Sequence, residues 1–329
     1  MNWKKAKVLV TGANGFIGSH LSEHLVNLGA KITVLLEYNP YNYLGHLKFL
    51  QKNMLSEMEQ ILGDIRDPEL IKKIVKGKDT IFHLGALVSI PYSFVNPREV
   101  FEVNAEGTLN ILLAARDQEV NKIVTTSTSE VYGTALYTPI DENHPLQAQS
   151  PYAASKIAAD KIAESFYKTY NVPIAIIRPF NTYGPRQSDR AIIPAIIIQA
   201  LKKSIINIGS TTPRRDLNYI SDTIDGFIKI AESKKSIGQV INIGSGKDIS
   251  IGELIKMILL IMDKQIKIIS TEKRKRPKKS EVMRLLCDNR KAKKIVNWMP
   301  KVSLKEGLNM TIEWMKNNTD YYNPDKYQI

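Results

Sequence analysis

A single cysteine, Cys287, stands in 329 residues, so the chain forms no internal disulfide and its composition fits a reducing compartment. Long hydrophobic runs are also missing. A membrane-crossing helix needs ~18–20 apolar residues, and the richest stretch, "AIIPAIIIQAL", is too short and contains Pro194. The start, "MNWKKAKVLVTG", passes from basic residues straight into a strand-like segment rather than a leader pattern. A soluble, cytoplasmic protein is expected. Histidine is scarce: His46, His83 and His144 are scattered and suggest no metal set. His20, Glu23 and His24 do spell a zinc-protease pattern, H-x-x-E-H. That pattern falls on a helix expected to pack on a sheet, with no obvious third ligand, so no metal is expected. Aromatics are absent from the densest basic run, "EKRKRPKKS", Glu272 to Ser280. Despite a net charge of +13, nothing there can stack on a base. The run reads as a solvated loop with one arginine turned toward a phosphate, and no nucleic-acid partner is expected.

What the chain does have is 43% apolar residues, enough for a sizeable core. Short β-branched runs at 7–10, 32–36, 80–84, 122–128, 173–179 and 239–244 alternate with helical patterns at 16–28, 68–76, 97–117 and 151–170. The alternation predicts βαβ units and a parallel sheet covered on both faces, an α/β fold. Later segments, "SIGELIKMILLIM" and "SLKEGLNMTIEWM", read as helices capped by Ser250 and Ser303. Residues 1–180 are expected to form a cofactor-binding domain, completed by segments near 215–245. Residues 181–329 are expected to form mainly a smaller α/β substrate region.

"VLVTGANGFIGSH" places Gly12, Gly15 and Gly18 between the first strand and the first helix. Glycines there let the backbone turn tightly and approach a pyrophosphate, while the helix N-terminus offers N–H donors and positive dipole. Asn14, Phe16 and Ile17 complete this candidate dinucleotide loop. The second strand ends at Glu37, whose carboxylate would accept the ribose hydroxyls of NAD and repel the extra phosphate of NADP. NAD is therefore the expected cofactor. Asp64 and Ile65 are placed beside its adenine, and Leu84, Gly85 and Ala86 form a close-packed turn beneath it.

Tyr152 and Lys156 in "YAASK" lie one helical turn apart, on one face. A phenol with a pKa of about 10 is a poor base at neutral pH. The lysine's charge, with that of a nicotinamide ring, favours the phenolate. Tyr152 could then take a proton from a sugar hydroxyl while NAD takes the carbon-bound hydride.

The glycine loop, the strand end "STSEVYG", the Y-x-x-x-K pair and "RPFNTYGP" together resemble the extended short-chain dehydrogenase/reductases, specifically the NAD-dependent epimerases and dehydratases of nucleotide sugars. The resemblance covers nearly the whole chain. It implies a Rossmann-type doubly wound sheet, a nucleotide-sugar-binding C-terminal region, and a homodimer pairing helices 97–117 and 151–170. The family's 4-epimerases usually carry a small residue where this chain has Glu130, whereas its 4,6-dehydratases carry glutamate. The resemblance implies Tyr152 as base at the C4 hydroxyl, Lys156 on the nicotinamide ribose, Thr128 hydrogen-bonded to O4, and Glu130 as the base at C5. Where dTDP-glucose dehydratases place an aspartate, this chain has Ser129, so Glu130 or a water held by Ser129 must protonate the departing hydroxyl. Asn181, Arg215 and Arg276 are implied at the diphosphate and Ser89 at the hexose. The longer strings "HLGALVSIPYSF", "TSTSEVYGTALYTPIDENHPLQAQSPYAASKIAAD" and "RPFNTYGPRQSDRAIIP" look most like GDP-N-acetylglucosamine 4,6-dehydratases of legionaminic-acid biosynthesis. A UDP-glucuronate decarboxylase, a 4-epimerase and a catalytically silent nucleotide-binding scaffold are the alternatives.

Overall fold

The apolar runs of the first half lie side by side in one sheet. The computed structural model describes residues 2–39, 43–274 and 277–323. Seven of its strands are β1 (Lys7–Thr11), β2 (Lys31–Glu37), β3 (Met58–Gly63), β4 (Thr80–His83), β5 (Lys122–Thr126), β6 (Ile174–Pro179) and β7 (Val240–Ile243). They pair in the order β7-β6-β5-β4-β1-β2-β3, every pair parallel. This is the expected doubly wound α/β topology.

Each strand feeds two cores, because successive side chains leave a strand on opposite faces. Val8 and Val10 join one buried cluster and Leu9 the other; Val124 and Ile123, or Ala175 and Ile176, divide in the same way. With helices on both faces, the strands read as continuous apolar runs. Fully buried side chains such as Leu9 and Val10 each contribute about 1.5–3 kcal/mol over an exposed position.

The helix over 151–170 is found as expected, and those at 16–28 and 68–76 end one residue early. The pattern at 97–117 is broken by a π turn, Glu102–Glu106, between the helices Pro97–Phe101 and Gly107–Asp117. Ser250 caps its helix in a reciprocal capping box with Glu253, and Ser303 accepts from Glu306 N. Among the elements that went unread, three are instructive. The edge strand β3 is mostly polar or half-exposed, so its sequence carries no apolar run. "AIIPAIIIQAL" forms most of the helix Ile192–Lys202, with Pro194 in the first turn, where its missing N–H costs nothing. The helix Ile220–Glu232 also lacked a recognised start signal.

Beyond β6, short strands at Asn181–Tyr183, Arg214–Tyr219, Asp248–Ser250 and Arg284–Leu285 form a second sheet, and Ile205–Ile208 pairs with Lys267–Ser270. Among the described residues, no helix is long and apolar enough to cross a membrane.

Candidate active site

The strand order reverses between β1 and β4, where Thr11 stands beside His83 in register. A crevice opens at such a switch point, outside the carboxyl ends of the strands. The glycine loop lies there. Gly12 has φ of +69°, and a Cβ on it would sit 2.8 Å from the backbone of Leu84 and Gly85. A Cβ on Gly18 would lie 2.1 Å from the Gly12 carbonyl. Gly15 stands at the N-cap of the helix Phe16–Asn27 with no side chain over its first N–H groups. This bare, close-packed cradle at a helix N-terminus fits a dinucleotide pyrophosphate. Asn14 is fixed by its carbonyl, which accepts from His46 N at 2.9 Å. Glu37 ends β2 with an exposed side chain. The carboxylate of Asp64 is held by Arg66, which keeps it below the usual carboxylate range, and Ile65 is buried in the core.

A hydrogen-bond chain that the sequence did not reveal runs beneath this crevice. Thr11 Oγ1 accepts from Leu84 N (3.2 Å) and Gly85 N (3.0 Å). Its own hydrogen is left for His83 Nδ1, at 2.8 Å. That assigns the proton of the ring to Nε2, which donates to Thr108 Oγ1 at 3.0 Å. Thr108 in turn donates to the Asn104 carbonyl at 2.6 Å. Asn104, in the π turn, clasps both backbone groups of Leu87 and donates to Ser155 Oγ at 2.9 Å. Burial drives His83 down to about 3, with Lys156 adding to the effect, so its ring is neutral at physiological pH.

Tyr152 and Lys156 occupy the first turns of the helix Pro151–Tyr170, which Ser150 caps. Both are buried, Tyr152 against Ile90 and Val100. Across from them, β5 ends in the turn Ser129–Tyr132, where Thr128 is the N-cap and accepts from Glu130 N. Thr128 and Glu130 both act on the Tyr152 phenol, Thr128 favouring its ionisation and the Glu130 charge opposing it. Thr128, Glu130, Tyr152 and Lys156 thus come together, with Ser129 buried in the same turn. The electrostatics differ from expectation. Burial, the largest effect, pushes the Tyr152 phenol above its ordinary value; Thr128 opposes this, and Glu130 and Asp160 add to it. Burial outweighs any help from Lys156, whose own pKa burial lowers while Asp160 opposes the shift.

The remaining predicted residues are spread along the second sheet and its approaches. Ser89 caps the helix Ile90–Val95 by accepting from Tyr92 N at 3.3 Å. Asn181 pairs in register with Leu217, and its side-chain oxygen is buried without a partner. Arg215 is buried and bonded to Glu281 at 3.3 Å, a partner that sequence spacing could not reveal. Arg276 lies outside the described residues. None of the predicted site residues lines the cavity of about 630 Å³ bounded by Leu217, Lys247, Met257 and Leu304. Of the zinc-like triplet, Glu23 pairs with Arg186 at 2.7 Å and His20 meets the Pro185 carbonyl at 3.0 Å.

Known proteins resemble this chain over nearly its whole length. The sequence model of the family described as GDP-mannose 4,6 dehydratase matches residues 9–311. The chain is 32% identical to human dTDP-D-glucose 4,6-dehydratase, over 95% of this chain and 90% of that protein. It is also 32% identical to the UDP-glucuronate 4-epimerase of Thermodesulfobacterium geofontis, over 95% and 97%. Among solved structures, DesIV of Streptomyces venezuelae, a dTDP-glucose 4,6-dehydratase with NAD and TYD bound, superposes with a TM-score of 0.85 at 28% identity. That match covers 97% of this chain and 100% of DesIV.

Proposed function

We propose, for a chain that belongs to the GDP-mannose 4,6 dehydratase family, that it removes water across C5 and C6 of a nucleotide hexose after oxidation at C4. The cofactor is NAD. When bound, it accepts the hydride from C4, returns it at C6, and brings positive charge beside Tyr152. The cradle of Gly12, Asn14, Gly15, Phe16, Ile17 and Gly18 would hold its pyrophosphate, and Glu37 its adenosine ribose. Leu84 to Ala86 would line its path, and Lys156 would hold the nicotinamide ribose.

The observation that carries the reading is that Thr128 and Glu130 share one turn, both acting on the phenol of Tyr152, which shares a helix face with Lys156. Tyr152 takes the proton of the C4 hydroxyl, with Thr128 orienting it. A C4 ketone acidifies the C5 proton, and Glu130 removes it. Ser129 holds the water that protonates the hydroxyl leaving C6, or Glu130 gives its own proton there, and C5 takes up a proton from Glu130 or that water as hydride returns to C6. An epimerase needs no group at C5, so a carboxylate whose charge reaches the phenol favours elimination. Asn181 and Arg215 bind the diphosphate, Arg215 turning from Glu281, and Ser89 approaches the hexose. The substrate is GDP-N-acetylglucosamine and the product its 4-keto-6-deoxy sugar; this base assignment rests on resemblance of the longer sequence strings. The enzyme works as a homodimer through the helices spanning 97–117 and 151–170, where Phe101 is half-exposed.

Incubation with GDP-, UDP- and dTDP-hexoses, read by mass spectrometry, tests the reading. Loss of 18 Da with one of them is expected, on the order of one water per sugar from the elimination described. Loss of carbon dioxide, or no mass change with every sugar, overturns it. Glu130→Gln should abolish exchange of the C5 proton with solvent while C4 oxidation continues; water loss at the native rate would refute the role of Glu130.

A further inference from the structure

Below the catalytic pair lies a buried ion pair. Arg178 on β6, 2% exposed, meets Asp160 at 2.7 Å, and Asp160 is itself 6% exposed. Ser127, at the end of β5, donates to the same carboxylate oxygen at 2.6 Å. Arg178 also donates to Tyr132 at 2.6 Å, and Tyr132 donates to Asn242 at 2.8 Å. Asp160 stands one turn beyond Lys156 on the same helix face. The turn that carries Glu130 is therefore fastened at both ends, through Ser127 and Tyr132, to the carboxylate behind Lys156.

We infer that Asp160 is a positioning residue: it is the counter-charge on which the buried Lys156 ammonium depends, and the post that ties the turn of Glu130 to the helix of Tyr152. A buried ammonium is costly unless an opposite charge lies close. The titratable and charged groups around Lys156 are few. Tyr152 and Asp160 lie one turn to either side on its own helix, and neutral His83 faces it from the end of β4. Glu130, on the turn after β5, acts on Tyr152, and Arg178 reaches in from β6 through Asp160. Asp160 is the acidic group among them whose charge favours the ammonium. It does not touch the reacting atoms.

The inference rests on the proposed role of Lys156 at the nicotinamide ribose, so NAD affinity reports its charge without any sugar. NAD dissociation constants are measured by calorimetry from pH 6 to pH 10, for the intact chain and for three variants. In the parent, affinity falls on the alkaline side as Lys156 loses its proton. Asp160→Asn moves that fall to lower pH by about 1–3 units, the size of effect that a close opposite charge has. It also leaves the buried Arg178 without a counter-charge, which costs stability, so Asp160→Asn/Arg178→Gln removes both charges and still shifts the fall downward. Asp160→Glu restores the parent profile. With a hexose that the parent converts, kcat of the double variant at pH 8 drops roughly tenfold or more and recovers on acidification, while KM stays within about threefold. A folded double variant whose NAD affinity follows the parent's profile overturns the inference, as does a kcat loss that no change of pH relieves. A parent that binds NAD but eliminates no water overturns the dehydratase reading instead, and leaves this test standing.

Discussion

Replacing His83 by glutamine should make the protein less sensitive to acid while leaving it folded at neutral pH. His83 is 2% exposed and held neutral, its pKa lowered to about 3 by burial and then by Lys156. The unfolded chain has an ordinary histidine, near 6.5. Between those values the unfolded state binds the extra proton and the native state does not, so stability falls as pH falls below about 6.5. Above that pH the group contributes no slope. One pKa unit is worth about 1.36 kcal/mol, so His83 alone removes about 2 kcal/mol between pH 6.5 and pH 5. His20 and His46, each lowered to about 4 chiefly by burial, act in the same direction. Glutamine can accept from the Thr11 hydroxyl through its carbonyl and donate to Thr108 through its amide, so both hydrogen bonds survive. Urea unfolding at pH 7 and at pH 5 measures the difference. The parent should lose about 2 kcal/mol more than the variant over that interval; carboxylate contributions are common to both and cancel. Equal losses would refute the neutral state of the buried ring. His83→Leu, by contrast, leaves the Thr11 hydrogen without an acceptor, while Thr108 keeps its bond to the Asn104 carbonyl, and should cost about 1–3 kcal/mol at pH 7.

Two further outcomes are expected. Gly18→Ala sets a methyl 2.1 Å from the Gly12 carbonyl, a backbone atom that cannot yield, so the loop must shift. NAD affinity should fall at least about tenfold, or roughly 1.4 kcal/mol, and unchanged binding by calorimetry would show that the cradle is not where the pyrophosphate sits. Ser250→Ala breaks the capping box of Ile251–Ile261 and should lower stability by about 1 kcal/mol in urea with no effect on NAD affinity, because that helix lies outside the crevice.

Much of the site was legible because certain residue types leave the backbone little choice. Gly12 must turn with positive φ against Leu84, and Tyr152 and Lys156 must share a helix face. What escaped was whatever depends on distant partners. Nothing in the spacing of Thr11, His83 and Thr108 announces a hydrogen-bond chain, because each is joined to the next only by the packing of β1, β4 and the helix Gly107–Asp117. Glu281 lies 66 residues from Arg215, so no local pattern could pair them. The phenol of Tyr152 shows a different limit. Its neighbour Lys156 was visible in the sequence, but the depth of burial that outweighs that neighbour was not. The polar edge strand β3 was missed because its recognition depends on β2 beside it rather than on its own residues.

The position of β7 bears on how this protein is made. Its strand comes from residues 240–243 yet lies against β6, so the cofactor-binding sheet stays unfinished on the ribosome until some sixty residues after β6 have been synthesised. A nascent chain halted near residue 180 would present β6, with apolar Ile174 to Ile177, as a bare edge open to any passing strand. Until residues 240–243 emerge, that edge can be covered only by something other than its native neighbour.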